Sequence, residues 1–158
     1  MTVKIKPLIR QGGTALIVGA VSWLLTKNSV KSFSETAVQP SFAPPSWLFL
    51  TVWTLLYILM GVSAYLAEVN SKPSKERTRA FVFYYAQLFF NFLWSFIFFS
   101  MRAYLAAFLW LLIMWVLILL SAVSFYKIKK TAAYLLVPHL AWVAFAGVLN
   151  YSIYYLNR

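Results

Sequence analysis

The residues of this chain that could do acid–base or metal chemistry are very few. Its three acids, Glu35, Glu68 and Glu76, fall in connections or at the edge of an apolar run. There is one histidine, His139, and no cysteine. Paired-carboxylate catalysis, a Ser-His-Asp triad and a metal-ligand cluster cannot be assembled from that set. The lack of cysteine also excludes a disulfide framework. What remains is a set of amides and aromatics at helical spacing. Gln87, Asn91, Trp94 and Phe98 recur at i, i+4, i+7 and i+11, a single helical stripe. Two amides on one face of an apolar helix seek partners inside the protein, or they anchor the polar edge of a ligand in an aromatic pocket; spacing does not choose between these. Trp53 and Tyr57 form an i, i+4 pair whose default reading is core packing. His139 follows Pro138 and shares a helical face with Trp142, Ala146, Leu149 and Ile153. An imidazole aimed into a cavity could ligate a haem iron; a hydrogen-bonded polar group within the fold is the plainer reading.

The solvent of these groups is not water. Hydrophobic residues make up 63% of the chain and charged ones 11%, where a soluble domain carries about 25% charged residues. Aromatics reach 20%, with 7 Trp and 10 Tyr. Interface belts explain aromatics at the rims of a membrane span, but Trp53, Trp94, Trp110, Trp115 and Trp142 lie well inside apolar runs. An aromatic-lined cavity for a flat apolar ligand accounts for several of them. The net charge of +11 comes from residues between apolar runs and forms no aromatic-interleaved face, so nucleic acid is not the expected partner. The lipid bilayer is.

Five segments approach the 20 or so apolar residues that cross a hydrocarbon core: 8–25, 47–67, 80–101, 103–126 and 131–156. The expected fold is therefore an all-α membrane protein, a single domain over 1–158 forming a five-transmembrane-helix bundle. The first segment, behind Lys4, Lys6 and Arg10, superficially resembles a signal peptide but lacks a small-residue cleavage site, and is read as a retained helix. Short connections make the third, fourth and fifth helices antiparallel neighbours. The connection from Thr26 to Ser46 is long, carries Phe33, Phe42 and three prolines, and is expected to fold down as a lid. Pro138 frees a carbonyl one turn earlier and can kink the fifth span, but prolines are common in membrane helices and alone it means little. Lys and Arg number ten on the side of the N-terminus and the second and fourth connections, against four on the other side. The positive-inside rule then puts the N-terminus in the cytoplasm and the first loop outside. Small residues spaced four apart, Ala15/Gly19, Ser63/Ala67 and Ala103/Ala107, permit close helix approach. Leu149, Tyr154 and Arg158 satisfy the loose sterol-contact pattern, for which an ordinary span end is the plainer explanation.

The segment Pro40-Ser41-Phe42-Ala43-Pro44-Pro45-Ser46-Trp47, followed by Val52-Trp53-Thr54-Leu55-Leu56-Tyr57 and Met60-Gly61, resembles the translocator protein family, TspO/MBR, whose bacterial members are tryptophan-rich sensory proteins and whose mitochondrial members were known as peripheral benzodiazepine receptors. The third span agrees through Gln87-Leu88, Asn91, Trp94, Phe98-Phe99 and Arg102, and the fifth through Pro138, Leu140-Ala141-Trp142, Ala144-Phe145-Ala146 and Leu149-Asn150-Tyr151. The resemblance covers nearly the whole chain from the first loop onward. It implies a cavity opening toward the first loop that binds tetrapyrroles such as protoporphyrin IX and haem, and synthetic isoquinoline and benzodiazepine ligands, with sterol in mitochondrial members. No cofactor is required; porphyrin or haem enters as ligand. By position, the cavity involves Pro44, Trp53, Tyr57, Gln87, Phe90, Asn91, Trp94, Trp142, Ala146 and Leu149, with His139 on the same face. The resemblance also implies a homodimer, a bacterial cell membrane, and light-dependent porphyrin breakdown with Trp53 and Trp142 as the photochemical indoles. Three positions depart from the family pattern: Trp110 where many members carry an acid nearby, His139 where tyrosine is typical, and Phe33-Ser34 in place of Trp-Tyr.

The expected function is a membrane receptor or sensor for porphyrin-like ligands. The alternatives are a tetrapyrrole exporter and a true porphyrin-degrading enzyme. Ion-coupled transport needs ionisable groups within the membrane, and no carboxylate of this chain lies mid-span.

Overall fold

The computed structural model describes residues 3–158. Five spans long and apolar enough to cross a membrane account for most of it: α1 (Ile5–Thr36), α2 (Ser46–Val69), α3 (Lys75–Ser95) continued by a π-helical turn (Phe96–Ser100), α4 (Tyr104–Ile128), and a fifth span divided into α5 (Lys130–Tyr134) and α6 (Val137–Leu156). No strand occurs among the described residues. α1 packs along α2, α3 along α4, and α4 along α6, while α5 closes onto α2. The expected antiparallel order of the last three spans is present.

One expectation about the chain's breaks is corrected. The first helix does not end near Leu25. It continues to Thr36, because residues 26–36 hold neither glycine nor proline and Phe33 is buried against Phe98, Phe99 and Tyr104, with ring centroids 5.3, 5.3 and 6.2 Å away. The lid-like first loop is thereby reduced to residues 37–45. At about 1.5 Å per residue the 32-residue α1 is some 48 Å long, far more than a hydrocarbon core of about 30 Å, so its last turns project beyond the bilayer to carry the loop. The fifth span is not a kinked continuous helix. It stops at Tyr134 and restarts at Val137, with Pro138 in the first turn of α6, where a missing N–H breaks no helical hydrogen bond.

Glycines set the closest crossing. A Cβ on Gly61 of α2 would stand 2.8 Å from the Cα of Gly12 on α1, and one on Gly19 would stand 2.6 Å from the ring of Tyr57. The small-residue faces noted in the sequence serve this internal packing: Ala15, Ala67 and Ala107 are fully buried, and Ser63 Oγ donates to the Ala132 carbonyl at 2.7 Å. Large apolar side chains such as Ile17, Leu24, Leu55, Phe89 and Ile113 point outward, as lipid-facing positions must. Ser74 caps α3 by accepting from Arg77 N at 3.1 Å, which fixes where the third span begins.

The π-helical turn widens the end of α3 so that Phe98 and Phe99 both turn inward, and it hands over to α4 through Arg102, whose φ is 53°. Such turns inside α-helices recur at functional sites. This one builds the aromatic wall described next.

Candidate functional site

The stripe on α3 faces the interior along its whole length: Gln87, Asn91, Trp94 and Phe98 are all buried. Asn91 is its hub. The Tyr57 hydroxyl donates to Asn91 Oδ1 at 3.2 Å, and Asn91 Nδ2 lies 3.2 Å from His139 Nε2. The amide nitrogen can only donate, so Nε2 accepts and Nδ1 carries the imidazole proton. Gln87 Nε2 reaches only the Met60 sulfur at 3.5 Å. Nearer the loop, Trp94 Nε1 donates to Asn150 Oδ1 at 3.3 Å and Asn150 Nδ2 to the Tyr104 carbonyl at 2.8 Å.

Four buried polar atoms in this region have no hydrogen-bond partner among the described residues: Trp53 Nε1, Gln87 Oε1, His139 Nδ1 and Trp142 Nε1. Each such group costs about 1–3 kcal/mol, and buried polar atoms in native proteins are nearly always paired. They concentrate around one aromatic cluster, three donors and one acceptor.

The aromatics form one continuous body. Trp53 stacks on Trp94 (5.9 Å, 28°) and Trp94 on Phe98 (5.2 Å, 23°). The Trp53 ring also meets His139 edge-on at 6.0 Å and lies 6.0 Å from Tyr57. Phe49 links the cluster, with centroids 6.1 Å from Trp53, 6.1 Å from Phe99 and 6.0 Å from Trp142.

Two cavities adjoin this body. A cavity of about 740 Å³ between α1, α2 and the end of α3 is lined by Trp23, Trp47, Phe49, Trp53, Tyr57 and Phe99, among others. A small void of about 60 Å³ lies under the loop, against Pro44, Trp94, Ala146 and Leu149. Val30, Ser46, Phe49 and Phe99 line both, so these four side chains form the partition. The residues expected to share one cavity are therefore divided. Trp53 and Tyr57 face the large space; Pro44, Trp94, Ala146 and Leu149 face the small one; Gln87, Asn91 and His139 form a polar cluster that neither space reaches. Trp142 packs between Phe49 and Phe145.

Phe90 is corrected outright. It stacks on Trp110 at 4.2 Å and 19°, and its carbonyl accepts from Trp110 Nε1 at 2.8 Å, which places it at the α3–α4 seam. Trp110 and Trp115 are thus not cavity walls; Trp115 Nε1 donates to the Leu140 carbonyl at 3.1 Å. His139 is fully buried with one nitrogen engaged, which makes it a hydrogen-bonded core group in this conformation. Among the described residues no three His, Asp or Glu side chains come close enough to hold a metal.

Phe49, Phe99, Trp23 and Trp47 line the spaces but were not among the residues expected there. The signal for Phe49 was present, since it precedes Trp53 and Tyr57 by one and two helical turns on α2. Trp47, 68% exposed, gave no such signal. The loop is held by Asn157, whose side chain accepts from Val38 N at 2.9 Å and donates to Val38 O at 2.8 Å.

A sequence model of the TspO/MBR family matches residues 12–156. The chain is 37% identical over 145 residues to the tryptophan-rich protein TspO of Chlorobaculum tepidum, covering 92% of each chain. It is 38% identical over 142 residues to the tryptophan-rich protein TspO of Archaeoglobus fulgidus, covering 90% of this chain and 91% of that one. Similarity extends to the translocator protein of Bos taurus, at 34% identity over 121 residues, or 76% of this chain and 72% of the bovine one. With five membrane-spanning helices in the order its sequence motifs require, this chain is an integral membrane protein that belongs to the TspO/MBR family.

Proposed function

We propose that this membrane protein is a receptor or sensor for porphyrin-like ligands, protoporphyrin IX and haem foremost, bound against the aromatic body between α1, α2 and α3. The observation that carries the reading is the unpartnered buried donor of Trp53, Nε1, whose indole stacks on Trp94 and lines the apolar cavity. A cavity of about 740 Å³ falls in the range of about 300–1,000 Å³ typical of small-molecule sites. A flat macrocycle is recognised there by stacking on Phe49 and Trp53 and by loss of apolar surface from water and lipid headgroups. Its carboxylate edge is matched by the Trp53 N–H donor. Isoquinoline and benzodiazepine-type ligands present the same combination of a flat apolar body and one polar edge.

The finer reading, light-promoted porphyrin breakdown, needs an electron-rich indole beside the macrocycle, and Trp53 is the buried indole on the cavity wall, where Trp23 and Trp47 are exposed. The exporter alternative is disfavoured because Glu35, Glu68 and Glu76 all sit near helix ends, leaving no mid-membrane carboxylate to carry a coupling ion. Titration of the purified protein with protoporphyrin IX, followed by tryptophan fluorescence, tests the binder reading: saturable quenching is expected. Quenching that rises linearly with ligand, or proton-driven porphyrin flux in proteoliposomes, would overturn it.

A further inference from the structure

The opposite end of the bundle holds the single buried carboxylate among the described residues. Glu68, 7% exposed, accepts from Gln11 Nε2 at 2.7 Å through Oε2, while its Oε1 is shared by Arg10 Nη2 and by Arg77 Nη2 at 3.4 Å. Gln11 is held in turn by the Tyr85 hydroxyl at 2.9 Å. Arg77 also donates to the Ser71 carbonyl at 3.3 Å and lies over the Phe81 ring at 5.8 Å. One carboxylate therefore orients two guanidiniums and neutralises only one of them. The Arg10 side chain remains 60% exposed and uses only Nη2 among the described residues.

A groove of about 610 Å³ runs between these two arginines, with Thr78, Phe81, Val82 and Tyr85 along it. A second groove of about 540 Å³ shares Thr78 and Val82 and adds Lys75 and Arg79. Away from the charges, the same face of α3 presents Val82, Tyr85 and Phe89, exposed by 57%, 40% and 56%, an apolar ramp into the bilayer. Guanidiniums fork onto phosphate oxygens, and basic pockets between spans select anionic lipid headgroups. A ligand that fits has a negative head and an acyl chain. We propose that this groove binds an anionic phospholipid, with its phosphodiester between Arg10 and Arg77 and a chain along Val82, Tyr85 and Phe89.

The test is native mass spectrometry of the protein released from micelles doped with equal amounts of phosphatidylglycerol or phosphatidylcholine. Retention of phosphatidylglycerol should exceed that of phosphatidylcholine about fivefold or more, and Arg10→Gln and Arg77→Gln should each lower it about fivefold, the effect of one basic side chain at a membrane surface. Lys127→Gln/Lys129→Gln, which removes two charges elsewhere at the same end, should change it less than twofold. Glu68→Gln should raise retention severalfold by freeing both guanidiniums, an effect that a purely structural ion pair does not produce. Because Arg77→Gln leaves Glu68 with fewer partners, Glu68→Gln/Arg77→Gln is the matched control and should retain less phosphatidylglycerol than Glu68→Gln. A loss from Lys127→Gln/Lys129→Gln equal to that from either arginine variant would assign the effect to diffuse charge and overturn the proposal. Displacement of the lipid by millimolar inorganic phosphate, or folded Glu68→Gln protein that retains less phosphatidylglycerol, would overturn it as well.

Discussion

Gly19→Ala reaches the candidate site through a single added methyl. The new Cβ would stand 2.6, 2.8 and 3.0 Å from Tyr57 Cδ2, Cε2 and Cγ, where carbon atoms normally rest about 3.5–4.0 Å apart. The ring must yield by about 1 Å, and because Cγ is among the crowded atoms, rotation of the ring alone does not relieve the contact. The Tyr57 hydroxyl already stands 3.2 Å from Asn91 Oδ1, so that displacement breaks the hydrogen bond. Overpacking costs about 1–3 kcal/mol and the lost buried bond about 1 kcal/mol, for a total of about 2–4 kcal/mol. At 2–4 °C per kcal/mol for a chain of this size, thermal unfolding in detergent should fall by roughly 5–15 °C. A double-mutant cycle isolates the mechanism: Tyr57→Phe should cost about 1 kcal/mol in the parent and almost nothing in Gly19→Ala, where the bond is already gone. A Gly19→Ala protein that melts within 1 °C of the parent, or a Tyr57→Phe cost equal in both backgrounds, would refute the packing argument.

Asn157→Ala removes both hydrogen bonds to Val38. At about 0.5–1.5 kcal/mol for each, the loop should open more often, seen as faster amide exchange at Val38 and faster ligand association, with the α4–α6 core unchanged in exchange protection. Asn91→Leu strips a partner from both Tyr57 and His139, leaving two more buried polar groups unpaired; a loss of about 2–4 kcal/mol in urea or thermal unfolding is expected, and a loss below 0.5 kcal/mol would mean the two groups have other partners. Trp142→Phe and Trp53→Phe should retain most porphyrin affinity, since stacking area survives, while slowing light-driven porphyrin loss by absorbance; unchanged rates in both would assign the photochemistry to the ligand alone.

The bundle was legible in the sequence because membrane burial writes it in long apolar runs, and the α3 stripe because amides in such runs are rare enough to mark a face. The end of α1 was not legible. Residues 26–36 are polar enough to read as loop, and what holds them helical is a tertiary contact, Phe33 against the π-helical turn. The π-helical turn itself leaves no composition signal in Phe-Ile-Phe-Phe-Ser. Pro138 was visible, but whether it kinks or begins a helix depends on how the chain arrives from Tyr134. The division of the site into two spaces depends on where the Phe49 and Phe99 side chains stand, and periodicity gives a face without giving a depth. Phe90 shows the limit: one residue from Asn91 on the helix, it looks toward another helix altogether.

The central claim is that the unpaired Trp53 indole on the cavity wall takes a ligand as its partner. Nitrogen-15 NMR of the tryptophan side chains measures this directly. On saturation with protoporphyrin IX, the Nε1–H signal of Trp53, on the cavity wall, should move downfield as its donor gains an acceptor. Those of Trp110 and Trp115, already bonded to the carbonyls of Phe90 and Leu140, should stay within the spread seen on adding detergent alone. A Trp53 signal that stays in place while the porphyrin binds would contradict the account.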